Sequence, residues 1–279
     1  MKNVADSHTQ RQEKVNAYFQ SWSSYWENAY SIRGVQAEVI RGRHVAVLDW
    51  VDTLALAPGS RVLEVGCGAG FMAIALAQRE LRVHAIDSAE AMIELARQHS
   101  TEAGTTDLLS LDVGDVYSLA FEDESLDLVI AIGVIPWLTR ADLAIQEMAR
   151  VTKPGGYVII TTANPIGLAS LLDPIVSPAL IPLKRPILRA LEQAGLSHRP
   201  PSMIFHHNRS IDETLARNKL IKVRGMTHGF AFSLLRHSFI PEPLGTKIHH
   251  RLQRLADKNA PLFRSGGMTY LVLARKSAS

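Results

Sequence analysis

The chain has 279 residues, of which 47% are apolar and 20% charged, with a formal net charge of +3. That composition supplies a full globular core, and the small charge leaves no nucleic-acid footprint, which shows as clustered Lys and Arg. The single cysteine, Cys67, excludes an intrachain disulfide. From the N-terminus, residues 1–14 are polar and lack the apolar centre of a secretory leader. No stretch approaches the ~20 apolar residues of a spanning helix. The expectation is a soluble, cytoplasmic protein with no stable membrane insertion.

Tyr18, Phe19, Trp22, Tyr25, Trp26 and Tyr30 then follow closely in a chain that is only 6% aromatic. Residues 1–58 are read as an N-terminal helical lid, packed on the rest or touching a ligand. Strand and helix patterns alternate from there. RVLEV (61–65) reads as a strand and 70–78 as a helix. A strand over 82–86, a helix over 89–99 and a short strand over 108–111 follow. DLVIAI (127–132) is a strand buried on both faces, 141–151 a helix and YVIITT (157–162) a strand. This rhythm predicts a parallel sheet with helices on both faces. After Asn164 it breaks into a proline-rich stretch, read as a cap insertion over about 164–220. A helix near 211–218 and strands near 221–226 and 268–274 complete one domain over 59–279.

The loop after the first strand carries the chemistry. VLEVGCGAG places Gly66, Gly68 and Gly70 at alternate positions, with Glu64 two residues ahead. A glycine loop between strand and helix sits at the carboxyl edge of the sheet, where open α/β sheets bind ligands, and glycine lets backbone and ligand approach closely. A dinucleotide fingerprint needs G-x-G-x-x-G. Here the spacing is G-x-G-x-G, and Phe71 stands where the last fingerprint glycine belongs, which weakens a nicotinamide oxidoreductase reading. Asp87 ends the second strand, where a carboxylate accepts from ribose hydroxyls, with Ser88 the expected cap of the next helix. Asp115, followed by Val116, lies where a carboxylate and a backbone N–H meet an adenine; Asp112 competes for that place.

Four segments, LEVGCGAG, AIDSAEAMIELAR, GDVYSLAFEDESLDLVIAIGVIPWL and EMARVTKPGGYVIIT, together resemble class I S-adenosylmethionine-dependent methyltransferases in order and spacing. The resemblance implies a Rossmann-like seven-stranded, mostly parallel sheet with the last strand antiparallel. It implies that Glu64 and the loop Gly66, Cys67, Gly68 and Gly70 face the methionine part of S-adenosyl-L-methionine. Asp87 would meet the ribose and Asp115 with Val116 the adenine. Ser88 and Met92 would flank the adenosine, and Ile132 with Gly133 would line the cofactor after the fourth strand. The N-terminal stretch resembles magnesium-protoporphyrin methyltransferases, but Trp137 or its neighbours stand where that family carries a histidine.

Methyl transfer from a sulfonium mainly requires alignment of the acceptor, with a base only for a weakly acidic hydroxyl. The implied reaction is methylation of a small apolar or aromatic acceptor, with O-methylation favoured. C-methylation of a quinone-like or prenylated ring and a non-catalytic cofactor-binding role are the alternatives. His228, past the sixth strand, and Tyr18, on the lid, are the candidate catalytic residues. The pairs His206-His207 and His249-His250 are not read as metal ligands, because helix neighbours do not share a face. Asn164-Pro165-Ile166 resembles an amino-methyltransferase signature only faintly and follows the wrong strand. PIVSPALIPL (174–183), with Lys184 and Arg185, reads as a roof over an apolar acceptor or a membrane contact. Lys247, Arg251, Arg254 and Lys258 recur at helical spacing and read as a solvated face.

Overall fold

A computed structural model describes residues 2–21, 34–168, 186, 203–231 and 242–278. Trp22, Tyr25, Trp26, Tyr30 and the proline-rich run 174–185 lie outside them, as does most of the expected cap. The described elements, in chain order, are α1 (Lys2–Ser21), α2 (Val35–Asp52), β1 (Arg61–Val65), α3 (Phe71–Ala77), β2 (Arg82–Asp87), α4 (Glu90–Glu102), β3 (Leu109–Val113) and β4 (Leu126–Ala131). A 3-10 turn (Ile135–Trp137), α5 (Ala141–Val151), β5 (Thr152–Ala163), α6 (Asn208–Arg217), β6 (Leu220–His228), α7 (Glu242–Asp257) and β7 (Thr269–Lys276) complete them.

The strands form one seven-stranded sheet in the order β3-β2-β1-β4-β5-β7-β6. β1 to β5 are parallel, and β7 runs antiparallel between β5 and β6. This is the architecture that the strand and helix rhythm predicts. Side chains on a strand alternate in direction, so the central strands β1, β4 and β5 feed two cores. Leu63, Val129, Val158 and Ile160 pack with Ile145 and Met148 of α5 and Leu215 of α6 on one face. Val62, Leu128, Ile130 and Ile159 pack with Trp50 of α2, Met72 of α3 and Ile93 of α4 on the other.

The chain order reverses between β1 and β4, which leaves a crevice at their carboxyl ends. Two further segments return to that edge. β6 ends there at His228 and β7 starts there at Thr269, opposite one another. The carboxyl end of β5 is tied to this corner by Asn164, which is fully buried. Its side-chain amide donates to the carbonyls of Ser265 (2.8 Å) and Gly267 (2.7 Å), and its Oδ1 accepts from the Ile166 N–H. Asn164 is a cross-brace of the sheet edge, with both its amide nitrogen and its oxygen engaged there.

Removing that brace strands buried carbonyls, each at about 1–3 kcal/mol. Asn164→Ala should lower stability by about 2–4 kcal/mol in urea unfolding; a midpoint equal to wild type would show that the corner stands without it.

Candidate active site

Gly66, Gly68 and Gly70 all adopt left-handed backbone, with φ of +67°, +53° and +83°. The three are not equivalent. A Cβ on Gly66 would lie 2.4 Å from Val134 Cγ2, and one on Gly70 2.8 Å from Ala96 Cβ. Those two glycines allow β1 to approach the loop after β4 and α3 to approach α4. A Cβ on Gly68 would meet nothing within 4 Å, so this glycine keeps a space open. The loop also binds itself. The N–H groups of Gly66 and Cys67 donate to the Ile86 carbonyl at 2.7 and 3.0 Å, and that of Gly70 to the Cys67 carbonyl. The Gly68 N–H donates to Asp87 Oδ2 at 2.9 Å. A pyrophosphate cradle needs such N–H groups pointing outward, and here they point inward.

Glu64 is 3% exposed on β1. Burial, reinforced by the charge of Asp87 and opposed by a backbone hydrogen bond from Ala73, pushes its carboxyl up to about 8. Its Oε2 has no hydrogen-bond partner among the described residues. Asp87 is half-buried, and burial raises its carboxyl against the hydrogen bonds it accepts from Ala89, Gly68 and Ser88. Ser88 does not cap α4. Its hydroxyl donates to Asn16 Oδ1 at 3.1 Å, and Ala89 is the N-cap residue without a side-chain cap. Cys67 is buried, and its thiol is pushed well up by burial and by the charges of Glu64 and Asp87; it is a packed thiol and no nucleophile.

Asp112 and Asp115 separate cleanly. Asp112 is paired with His84 at 2.9 Å. Asp115 is exposed in the loop after β3, where its Oδ1 accepts from the Tyr117 N–H. Val116, Met92 and Ile132 are buried. The Gly133 N–H donates to Thr161 Oγ1 at 2.7 Å, which fixes the chain as it leaves β4.

α1 crosses the crevice. On one side Asn16 accepts from Ser88, and Gln20 Oε1 accepts from the Ala91 N–H at the start of α4. On the other side Tyr18 stacks on Trp137 with ring centroids 6.2 Å apart, and Phe19 meets Trp137 edge-on at 5.2 Å. One helix therefore bridges the loops after β2 and β4.

Arg43 of α2 escapes sequence reasoning. A Cβ on Gly133 would lie 3.4 Å from its Nη1 and 3.5 Å from its Nη2, so the guanidinium covers the loop after β4. A lone arginine in a helix that precedes β1 carries no sequence signal of that position. His228 lies at the carboxyl edge, as its place in the sequence implies, but not as an open base. It is 5% exposed, and its ring packs where a Cβ of Gly42 would be, 2.9 Å from Nε2 and Cε1. It hydrogen-bonds the backbone of Val39, and burial with the nearby Arg43 charge pushes it down to about 4. Nε2 has no partner among the described residues. His249 points inward to accept from the Phe230 N–H at 3.2 Å, whereas His250 faces Glu38. Among the described residues no group of three or more His, Cys, Asp or Glu is placed to hold a metal.

Residues 63–160 match the family described as a methyltransferase domain. A ubiquinone biosynthesis O-methyltransferase of Paracidovorax citrulli is 39% identical over 126 residues, which is 45% of this chain and 52% of that protein. A malonyl-[acyl-carrier protein] O-methyltransferase of Serratia marcescens is 33% identical over 116 residues, 42% of this chain and 43% of that protein. The chain thus spans about half the length of the curated relatives it matches. The crystal structure of magnesium protoporphyrin IX methyltransferase from Synechocystis PCC 6803 with bound SAH superimposes with a TM-score of 0.65 at 18% identity, covering 96% of this chain and 100% of that one. At that identity it shows the shared fold. The matched residues are those whose four segments resemble the class I methyltransferases.

The buried ionisable groups make stability pH-dependent. His44, His228 and His249 are held below their ordinary value, to about 3, 4 and 4, by burial. A base depressed in the fold contributes stability above pH 6.5 that is lost as pH falls toward 4. Glu64 has the opposite sign: its contribution is complete below about 4.5 and is lost as pH rises to about 8. Three imidazoles outweigh the carboxyl on the acid side, and the carboxyl alone acts above. Urea midpoints should therefore peak near pH 6.5 and fall toward both pH 5 and pH 8; a midpoint that rises on acidification from pH 6.5 to pH 5 would contradict the burial of these histidines.

Proposed function

We propose that this chain, which carries a class I methyltransferase domain over residues 63–160, binds S-adenosyl-L-methionine and methylates a small apolar or aromatic acceptor, with O-methylation favoured. One observation carries the reading. The loop spends its N–H groups on the protein, opens a space only at Gly68, and sets beside it a buried carboxyl with an unpartnered oxygen. That chemistry suits a cationic amino-acid head and does not suit a pyrophosphate. The described residues fit the cofactor along its length. Glu64 would hold the ammonium group, Asp87 the ribose and Asp115 with Val116 the adenine. Ser88 and Met92 would flank the adenosine, with Ile132 and Gly133 along its other side. The Arg43 guanidinium over Gly133 would hold the methionine carboxylate.

When bound, the cofactor supplies a methyl already activated by a sulfonium. The work left to this chain is alignment and exclusion of water. The bridging helix α1 closes the crevice. Tyr18 and Trp137 offer a flat apolar wall against which an aromatic acceptor stacks. The Tyr18 hydroxyl would orient the accepting oxygen. His228 acts at one remove, as a wedge that seats α2, and Arg43 with it, on the sheet edge. The proposed domain division is a covering segment over 1–58 and a methyltransferase domain over 59–279.

Calorimetry on the purified chain tests the cofactor directly. S-adenosylmethionine and S-adenosylhomocysteine should bind and NAD should not; NAD binding with no response to the sulfur nucleosides would reject the proposal. Two glycine variants test the site. Gly68→Ala meets no protein atom and carries only the cost of a left-handed alanine, about 1 kcal/mol, but it fills the open space. It should fold and lose about tenfold or more in cofactor affinity. Gly70→Ala should lose more stability than Gly68→Ala, through its clash with Ala96. A folded Gly68→Ala protein with unchanged affinity would mean that the cofactor lies elsewhere.

A further inference from the structure

The connection from β6 to β7 leaves and re-enters the sheet at the carboxyl edge, the edge that holds the glycine loop. Within it, α7 packs on α2 and β6. Its inner side is polar but satisfied. Gln253 Oε1 accepts from the Gly229 N–H, and its Nε2 donates to Asp257 Oδ1 at 2.9 Å. The outer side is different. Lys247, Arg251 and Arg254 of α7 and Lys258 just beyond it are all exposed. At intervals of four, three and four residues they form one stripe, about 16 Å long at 1.5 Å per residue.

None of these four cations pairs with a carboxylate among the described residues. Elsewhere on the surface, Arg79, Arg97, Arg140, Arg150, Lys153 and Lys222 all do. Asp257, the acid nearest the stripe, is held by Gln253. The exposed Arg264 adds a further positive charge beyond the helix. Large exposed apolar side chains flank the stripe in sequence: Leu244, one helical turn before Lys247, is 50% exposed, and Leu262, in the turn after Lys258, is 68% exposed.

We propose that this face docks on an anionic phospholipid bilayer, with the cations at the headgroups and Leu244 and Leu262 inserted among the upper acyl carbons. Basic amphipathic helices bind membranes in this way, by charge and shallow apolar burial together. No described helix is long and apolar enough to cross a membrane, so the contact is peripheral. The leucines favour a bilayer over an acidic protein, which would satisfy the cations and leave the leucines in water. Because α7 lies at the same edge as the crevice, docking would turn the site toward the membrane, from which an apolar acceptor could enter.

The test is co-sedimentation of the full chain with vesicles, which needs neither cofactor nor acceptor. The chain should bind vesicles containing phosphatidylglycerol and not pure phosphatidylcholine, and should release as salt rises from 50 to 500 mM. The Arg251→Glu/Arg254→Glu variant, checked for an unchanged melting temperature, should bind at least about thirtyfold more weakly. Leu262→Gln should weaken binding severalfold at constant charge. No binding to phosphatidylglycerol vesicles at low salt, or equal binding by the charge-reversed protein, would overturn the proposal. Unchanged vesicle binding by Leu262→Gln, together with equally tight binding to soluble polyglutamate, would overturn it in favour of an acidic protein partner.

Discussion

Leaving β1, the chain takes three left-handed steps, at Gly66, Gly68 and Gly70, and so turns from strand to helix within five residues. Each step would strain any residue with a Cβ. Two of them also bring neighbouring elements closer than a side chain permits, Val134 against Gly66 and Ala96 against Gly70. The crevice between β1 and β4, the seating of α4 and the direction in which β2 delivers Asp87 all follow from that turn. Asp87 holds it shut by accepting from Gly68. The carboxylate that the fold needs for its loop is thus also the one we propose for the ribose, so that stability and binding would draw on the same side chain.

The cover of the crevice is built from more distant parts of the chain. α1 reaches across it by polar contacts at Asn16 and Gln20 on one side and by aromatic contacts at Tyr18 and Phe19 on the other. α2 lies beside it and brings Arg43 over Gly133, held in place by the His228 ring beneath Gly42. A histidine buried in this way serves best uncharged. A proton on it would set a second positive charge near Arg43 inside the fold, where desolvation already disfavours it.

The strands and most helices were legible because their signals are local. Alternating or continuous apolar runs, such as the one within 127–132, report backbone geometry at the residues that carry them. The span of α5 was read to the residue. β5 was read too short, since it begins at Thr152 and runs through Pro154 and the two glycines. Pairing with β4, displaced by an irregularity in register, overrides the local turn preference. Asp112 and Asp115 are alike in sequence, and only the fold distinguishes them, by pairing Asp112 with His84 and leaving Asp115 exposed in the loop after β3.

The sequence by itself determined the sheet, the glycine turn and the group of acids around it, because each depends on residues close together in the chain. Only the tertiary structure decided what each residue of that group faces. It assigned two glycines to packing and one to open space, turned the loop N–H groups inward, and moved Ser88 from capping a helix to bonding Asn16 of α1. It also brought Arg43 to Gly133, buried His228 beneath α2, and assigned Asn164 to bracing a sheet corner. Those outcomes rest on contacts between residues far apart in the chain, whose partners are set by how the layers pack, and no local pattern of residue types records them.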